Sequence, residues 1–174
     1  MMNGRIWVES ELGKGARFIF TGQLERSKNT ESIPSEDDAL GGASYAGAFK
    51  GKRLLVAEDV EINREILISL LEDSGLIIDC AENGKEAYDI IVANPDKYDI
   101  VFMDLQMPEM DGLEASRLIR ALPSQGNWRL PIIAMTANVF KDDIDACFAA
   151  GMDDHLGKPL EIDKVFEKLS KYLK

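Results

Sequence analysis

The chain is poor in the residues that build most metal and redox centres. Its 174 residues include one histidine, His155, and two cysteines, Cys80 and Cys147. A single imidazole excludes a histidine-rich zinc site and leaves little for imidazole chemistry. The cysteines sit far apart inside apolar stretches and read as reduced packing residues rather than a disulfide or a metal pair. Positive charge is also short: 20 Lys and Arg face 31 Asp and Glu, a net charge of −11. So acidic a chain repels phosphate backbones, which argues against nucleic acid as a partner. No apolar run approaches the ~20 residues that cross a bilayer, and no signal-peptide pattern opens the sequence. No membrane contact is therefore expected of this chain, and the cytoplasm is its expected compartment. Hydrophobic residues make up 45% and charged residues 29%, which is the balance of a globular protein with room for one domain and a remainder.

The acidity is unevenly placed. Residues 1–50 hold 6 basic and 7 acidic side chains, so nearly all of the negative charge falls on residues 51–174. Gly4–Ser10 and Ala16–Thr21 are β-rich runs around the turn-like Leu12-Gly13-Lys14-Gly15, a hairpin pattern. From about Glu25 to Lys50 the chain is rich in Ser, Gly and acids and has little to bury, so it reads as a flexible linker. Tyr45 and Phe49 are placed to anchor the linker's end onto the next domain. The expected division is a hairpin at 1–25, a linker at 26–50 and a domain at 51–174.

After residue 51 short apolar runs alternate with helical periods. Strands are expected at Arg53–Glu58, Leu76–Ala81, Tyr98–Asp104, Pro131–Thr136 and His155–Gly157. Apolar positions 62, 66, 67, 70 and 71 mark the face of a helix ended by Gly75. Further helices run from the Asn83-Gly84 turn to about Asn94, from Gly112 to about Leu122, from about Val139 to Ala150, and over Ile162–Tyr172. Strands buried on both faces and alternating with helices give an α/β fold, a doubly wound parallel sheet.

Ligands of such sheets bind beyond the C-terminal ends of the strands. There this sequence carries Glu58-Asp59, Asp104, Thr136 and, after the fifth strand, Lys158-Pro159. Any one of these is ordinary: acids after a strand often begin a helix, and a lone lysine is usually a solvated charge. Four strand ends together are a different matter. Three close carboxylates need protons or a cation, and a hard, oxygen-ligated ion such as Mg²⁺ is the economical answer. A carboxylate, Mg²⁺, an ammonium and a hydroxyl around one point suit phosphoryl transfer.

The runs Leu54–Asp59, Val101–Gly112, Pro131–Ala137 and Gly151–Pro159 resemble those of the response-regulator receiver domain, in order and spacing, over residues 51–174. The resemblance implies a flavodoxin-like (βα)₅ fold with strand order 2-1-3-4-5. It makes Asp104 the phosphoacceptor. It assigns Mg²⁺ to Asp59, Asp104 and the backbone carbonyl of Gln106, with Glu58 acting through water. Glu stands at 58 where many receivers have Asp. Lys158 would pair with Asp104 and then with the phosphoryl group, and its bond to Pro159 is one that family members often hold cis. Thr136 would swing onto the phosphoryl oxygen. His155 occupies the place of the aromatic switch partner, and packing on the Thr136 loop without pH sensing is the simpler expectation for it. The surface near residues 139–172 would be the face that partners read.

The amino-terminal run Gly4–Thr21 resembles the last hairpin of a histidine-kinase ATP-binding domain, with Gly13 and Gly15 as remnants of its glycine box. The upstream ATP-binding elements and the phosphorylatable-histidine helix are not in the sequence, so useful ATP binding or autophosphorylation is not expected of this fragment. Nor is a DNA-binding output expected after Lys174. Together the two resemblances imply the C-terminal piece of a hybrid sensor kinase, whose parent is a candidate for membrane anchoring. The expected function is a phosphorelay switch, loaded by a histidine-kinase dimerisation domain and unloaded to a histidine-phosphotransfer protein or to water. Two alternatives compete. One is an interaction module that is not phosphorylated. The other is a phosphatase with an aspartate nucleophile, which wants a second Asp where Gln106 stands. The hairpin's edges leave a homodimer open.

Overall fold

A computed structural model describes residues 5–11, 15–21, 45–123, 129–137 and 140–173. They belong to two compact units, one within residues 1–41 and one within 42–174. The expected linker over 26–44, Gly13, Asn138 and Val139 lie outside the described residues.

In the first unit, β1 (Ile6–Glu11) and β2 (Gly15–Phe20) form the expected antiparallel hairpin, pairing Trp7 with Ile19 and Val8 with Phe18. Gly15, at φ +94°, takes a left-handed conformation that favours glycine. Ile6, Val8 and Phe18 are exposed.

The second unit is a parallel sheet of β3 (Arg53–Ala57), β4 (Ile77–Ala81), β5 (Ile100–Asp104), β6 (Ile132–Thr136) and β7 (Asp154–Gly157), in the order β4-β3-β5-β6-β7. Counted within the unit, this is 2-1-3-4-5, the flavodoxin-like order that the receiver resemblance implies. The connecting helices are α1 (Glu61–Leu71), α2 (Gly84–Ala93), α3 (Gly112–Ala121), α4 (Lys141–Ala149) and α5 (Ile162–Tyr172).

Successive strand residues alternate between two cores, because side chains on a strand point to opposite faces. Leu54, Val56, Ile100, Phe102, Ile133 and Met135 pack with Leu67 and Leu71 of α1 and with Val165, Phe166 and Leu169 of α5. Leu55, Ala57, Val101, Met103, Ile132 and Ala134 face Ala87 and Ile91 of α2, Ala115 and Ile119 of α3 and Cys147 of α4. β5 and β6 are buried along their whole length, which is why they read as unbroken apolar runs. Both cysteines are free thiols. No helix among the described residues is long and apolar enough to cross a membrane.

Three details differ from the sequence reading. The apolar stripe of α1 is wider than its contact with the sheet: Leu67 and Leu71 are buried, whereas Ile62 and Ile66 are half-exposed. They lie about 140° round the helix from the buried row. The fourth helix begins at Lys141, with Phe140 extended at its N-cap and exposed. After α1, a 3₁₀ turn over Glu72–Ser74 precedes the left-handed Gly75 that was expected to end the helix.

Tyr45 and Phe49 do anchor the start of this unit. The Tyr45 ring stacks on Phe166 of α5 with centroids 3.8 Å apart, and Phe49 is buried beside it. Backbone bonds from Gly47 N–H to Asp73 O and from Phe49 N–H to Ser74 O fasten the same turn.

Candidate functional site

The parallel register brings the C-terminal ends of the strands level, pairing Ala57 with Met103, Asp104 with Met135 and Thr136 with Gly157. The residues just past those ends therefore converge. Glu58, Asp59 and Asp104 each offer one carboxylate oxygen, all within 4.8 Å of one another. They share a cleft of about 280 Å³ with Gln106, Thr136 and Lys158. A set of hard oxygen donors with one ammonium beside them fits a small divalent cation.

Lys158 donates from Nζ to Asp104 Oδ2 at 2.7 Å and to Glu58 Oε2 at 2.6 Å. Its backbone N–H donates to Thr136 O at 2.7 Å, which fixes the loop after β7 against β6. Its bond to Pro159 is cis. Burial pushes the Asp104 carboxyl up from the usual range and the nearby Glu58 charge adds to this, against the pull of Lys158. Burial would lower Lys158, but its bonds to Asp104 and Glu58 outweigh that and raise it. The cation is thus held charged between two acids.

Glu58 is only 2% exposed and is fully engaged: Oε1 accepts from Asn63 Nδ2 at 2.7 Å and Oε2 accepts from Lys158. Gln106 donates its backbone N–H to Asp104 Oδ1 at 3.3 Å. Gly112 begins α3 directly against this strand end, where a Cβ would overlap the Asp104 carbonyl oxygen. Only glycine lets the helix start so close.

The structure gathers Glu58, Asp59, Asp104, Gln106, Thr136 and Lys158 into one cleft. His155 is not among the residues lining it. It lines a neighbouring groove with Pro159, Lys164 and Lys168, and among the described residues its buried Nδ1 has no hydrogen-bond partner. Gly15 lies in the hairpin unit, outside this cleft. Two polar cleft residues were missed from sequence, Asn63 on the first turn of α1 and Asp143 on the first turn of α4. The position of Asn63, one turn beyond the Glu58-Asp59 pair, was a signal that could have found it. Asp143 gave none, because its approach depends on where α4 packs.

A family model described as the response regulator receiver domain matches residues 54–170. The chain belongs to the response regulator receiver domain family. The receiver is 36% identical over 145 residues to Probable histidine kinase 4 of Oryza sativa subsp. japonica, a match covering 73% of this chain and 14% of that protein. It spans only 12–16% of the length of the first three plant histidine kinases it matches. Among solved structures it resembles a chain of the co-crystal of the Saccharomyces cerevisiae histidine phosphotransfer protein Ypd1 with the receiver domain of Ssk1. That match has 30% identity and a TM-score of 0.64, covering 72% of this chain and 90% of the other. It also resembles the receiver domain of the sensor histidine kinase PA1611 from Pseudomonas aeruginosa PAO1, which holds a magnesium ion in its active-site cleft. There the identity is 32% and the TM-score 0.62, with coverage of 71% and 98%.

Proposed function

We propose that this receiver is the Mg²⁺-dependent phosphoacceptor switch of a phosphorelay, with Asp104 as the acceptor. The observation that carries the reading is Lys158 bridging Asp104 and Glu58 inside a cluster of three carboxylates at the strand ends. A fold kept only for docking has no need of such a cluster. A phosphatase reading would want an acid at Gln106.

In the proposed transfer, an Asp104 carboxylate oxygen attacks the phosphorus of a kinase phosphohistidine in line. The new P–O bond forms as the P–N bond breaks, and the electron pair returns to the imidazole. Asp59, Asp104 and the Gln106 carbonyl would hold Mg²⁺, with Glu58 acting through water. When bound, the ion supplies neutralisation of charge on the transferring oxygens. Lys158 leaves its Asp104 bond to hold a phosphoryl oxygen, and the Thr136 hydroxyl donates to another. A phosphoryl group brings roughly −1.5 to −2 charges and three strong acceptors, so these contacts change together.

The donor would be a histidine-kinase dimerisation domain and the recipient a histidine-phosphotransfer protein or water. Likeness to a receiver solved with Ypd1 supports that recipient. Residues 1–25 are then the end of a kinase ATP-binding domain, 26–50 a linker and 51–174 the receiver of a cytoplasmic hybrid-kinase segment. His155 is proposed as the partner of Thr136 in the switch, reached by a rotamer change from its present groove.

The test is labelling by acetyl phosphate with Mg²⁺. The parent chain acquires an acid-labile phosphoryl group, and Asp104→Asn or removal of Mg²⁺ by chelation abolishes it. Full labelling of Asp104→Asn sinks the assignment.

A further inference from the structure

The two residues that carry the first acids of the cleft lie in a gap. Glu58 and Asp59 come after the last ladder residue of β3, Ala57, and precede the first residue of α1, Glu61. Among the described residues no backbone N–H of the sheet or the helix donates to their carbonyls, and Val60 at the helix N-cap makes no side-chain capping bond. Their carboxylates also repel one another and Asp104, which tends to splay the loop.

Arg64 closes this gap. Its side chain, only 12% exposed, folds back over the loop from α1. Nη1 donates to Glu58 O at 2.6 Å and to Asp59 O at 3.0 Å, and Nη2 donates to Glu82 Oε1 at 3.1 Å. One rigid fork thus joins the β3–α1 loop to the first residue after β4, beside the bond from Glu58 N–H to Ala81 O. Arg64 does not line the cleft, so its charge occupies none of the oxygens offered to a cation. Asn63 complements it by holding the Glu58 carboxylate itself.

We infer that Arg64 is a positioning residue for the cation site, clamping the Glu58 and Asp59 carbonyls so that the carboxylates stay convergent before any ion arrives. This rests on the magnesium reading of the cleft. A planar guanidinium suits the task because one group reaches two carbonyls and a carboxylate at fixed angles, which a lysine ammonium on a flexible stem does not reproduce. Groups behind metal ligands act in this way, by removing the freedom the ligands would otherwise lose on binding.

The test uses the full chain and Mg²⁺ alone. Calorimetric titration measures the dissociation constant, amide hydrogen exchange of the metal-free chain reports on Glu58 and Asn63, whose N–H groups donate to Ala81 O and Val60 O, and a circular dichroism melt reports the fold. Arg64→Ala is expected to weaken Mg²⁺ binding by about tenfold or more, the usual cost of losing a group behind the ligands. It also speeds exchange at Glu58 and Asn63 without metal. Arg64→Lys keeps the charge and falls between the two. If Arg64→Ala melts out, Arg64→Lys decides alone. A folded Arg64→Ala or Arg64→Lys that binds Mg²⁺ within about twofold of the parent, with unchanged exchange, overturns the inference. A parent chain that takes up no Mg²⁺ overturns instead the reading on which it rests.

Discussion

Replacing Asp154 by Asn is expected to remove a stabilisation that depends on pH in a defined window. Asp154 begins β7 and its side chain is 9% exposed. It accepts from Lys168 at 3.0 Å, Lys171 at 2.8 Å, the His155 N–H at 2.9 Å and the Tyr172 hydroxyl at 3.3 Å. Burial works against the charged form, but Lys171, the His155 N–H and Lys168 outweigh it and hold the carboxyl at about 2, below its ordinary 3.8. At about 1.4 kcal/mol per unit, that shift corresponds to about 2 kcal/mol of stability. The folded-state value is depressed, so the contribution is present in full well above pH 3.8 and disappears as pH falls towards about 2. The assay is urea unfolding of parent and Asp154→Asn from pH 7 down to pH 2, comparing the two at each pH. Their difference should be about 2 kcal/mol at neutrality, shrink through the acid window and close near its lower end. High salt should reduce it, since Lys171 is half-exposed and screened. Lys168→Ala should cost more than Lys171→Ala, because Lys168 is the more buried partner. A difference that does not change with pH would show that Asp154 acts through packing or shape, and would refute the electrostatic account.

Phe49→Ala should destabilise the sheet unit by about 3 kcal/mol in denaturant unfolding, as loss of a buried aromatic does, and Tyr45→Ala by about 1 kcal/mol through its stack on Phe166. Lys158→Ala should leave Mg²⁺ binding largely intact, because its ammonium supplies no oxygen to the ion. It should still cut the link between acceptor and surface: amide shifts over Lys141–Ala149 on beryllofluoride addition should fall well below those of the parent. Equal shifts in the two chains would refute the coupling.

Much of the fold could be read from local pattern. β5 and β6 are fully buried, so Ile100–Asp104 and Ile132–Thr136 appear in the sequence as apolar runs with no alternation. Asn83 and Asp111 cap α2 and α3 by accepting from Glu86 and Glu114 three residues on, a spacing visible without coordinates. Once a parallel sheet was inferred, the strand-end rule placed Asp59, Asp104, Thr136 and Lys158 at one edge. The width of the α1 stripe could not be judged this way: Ile62 and Leu67 are equally apolar, and only the position of the sheet decides which is covered.

The sequence by itself determined the alternation of elements, the excess of acid at the strand ends and the absence of histidine-rich metal chemistry, because each depends on residue type and short-range period. Tertiary structure alone decided that Lys158 is shared between Asp104 and Glu58, residues 54 and 100 positions away, that Arg64 ties the acidic loop to Glu82, and that His155 turns into a groove beside the cleft. Contacts of that kind are set by strand order, register and side-chain rotamer. None of these leaves a periodic mark in the chain, since they link positions whose spacing is fixed only when the sheet has closed.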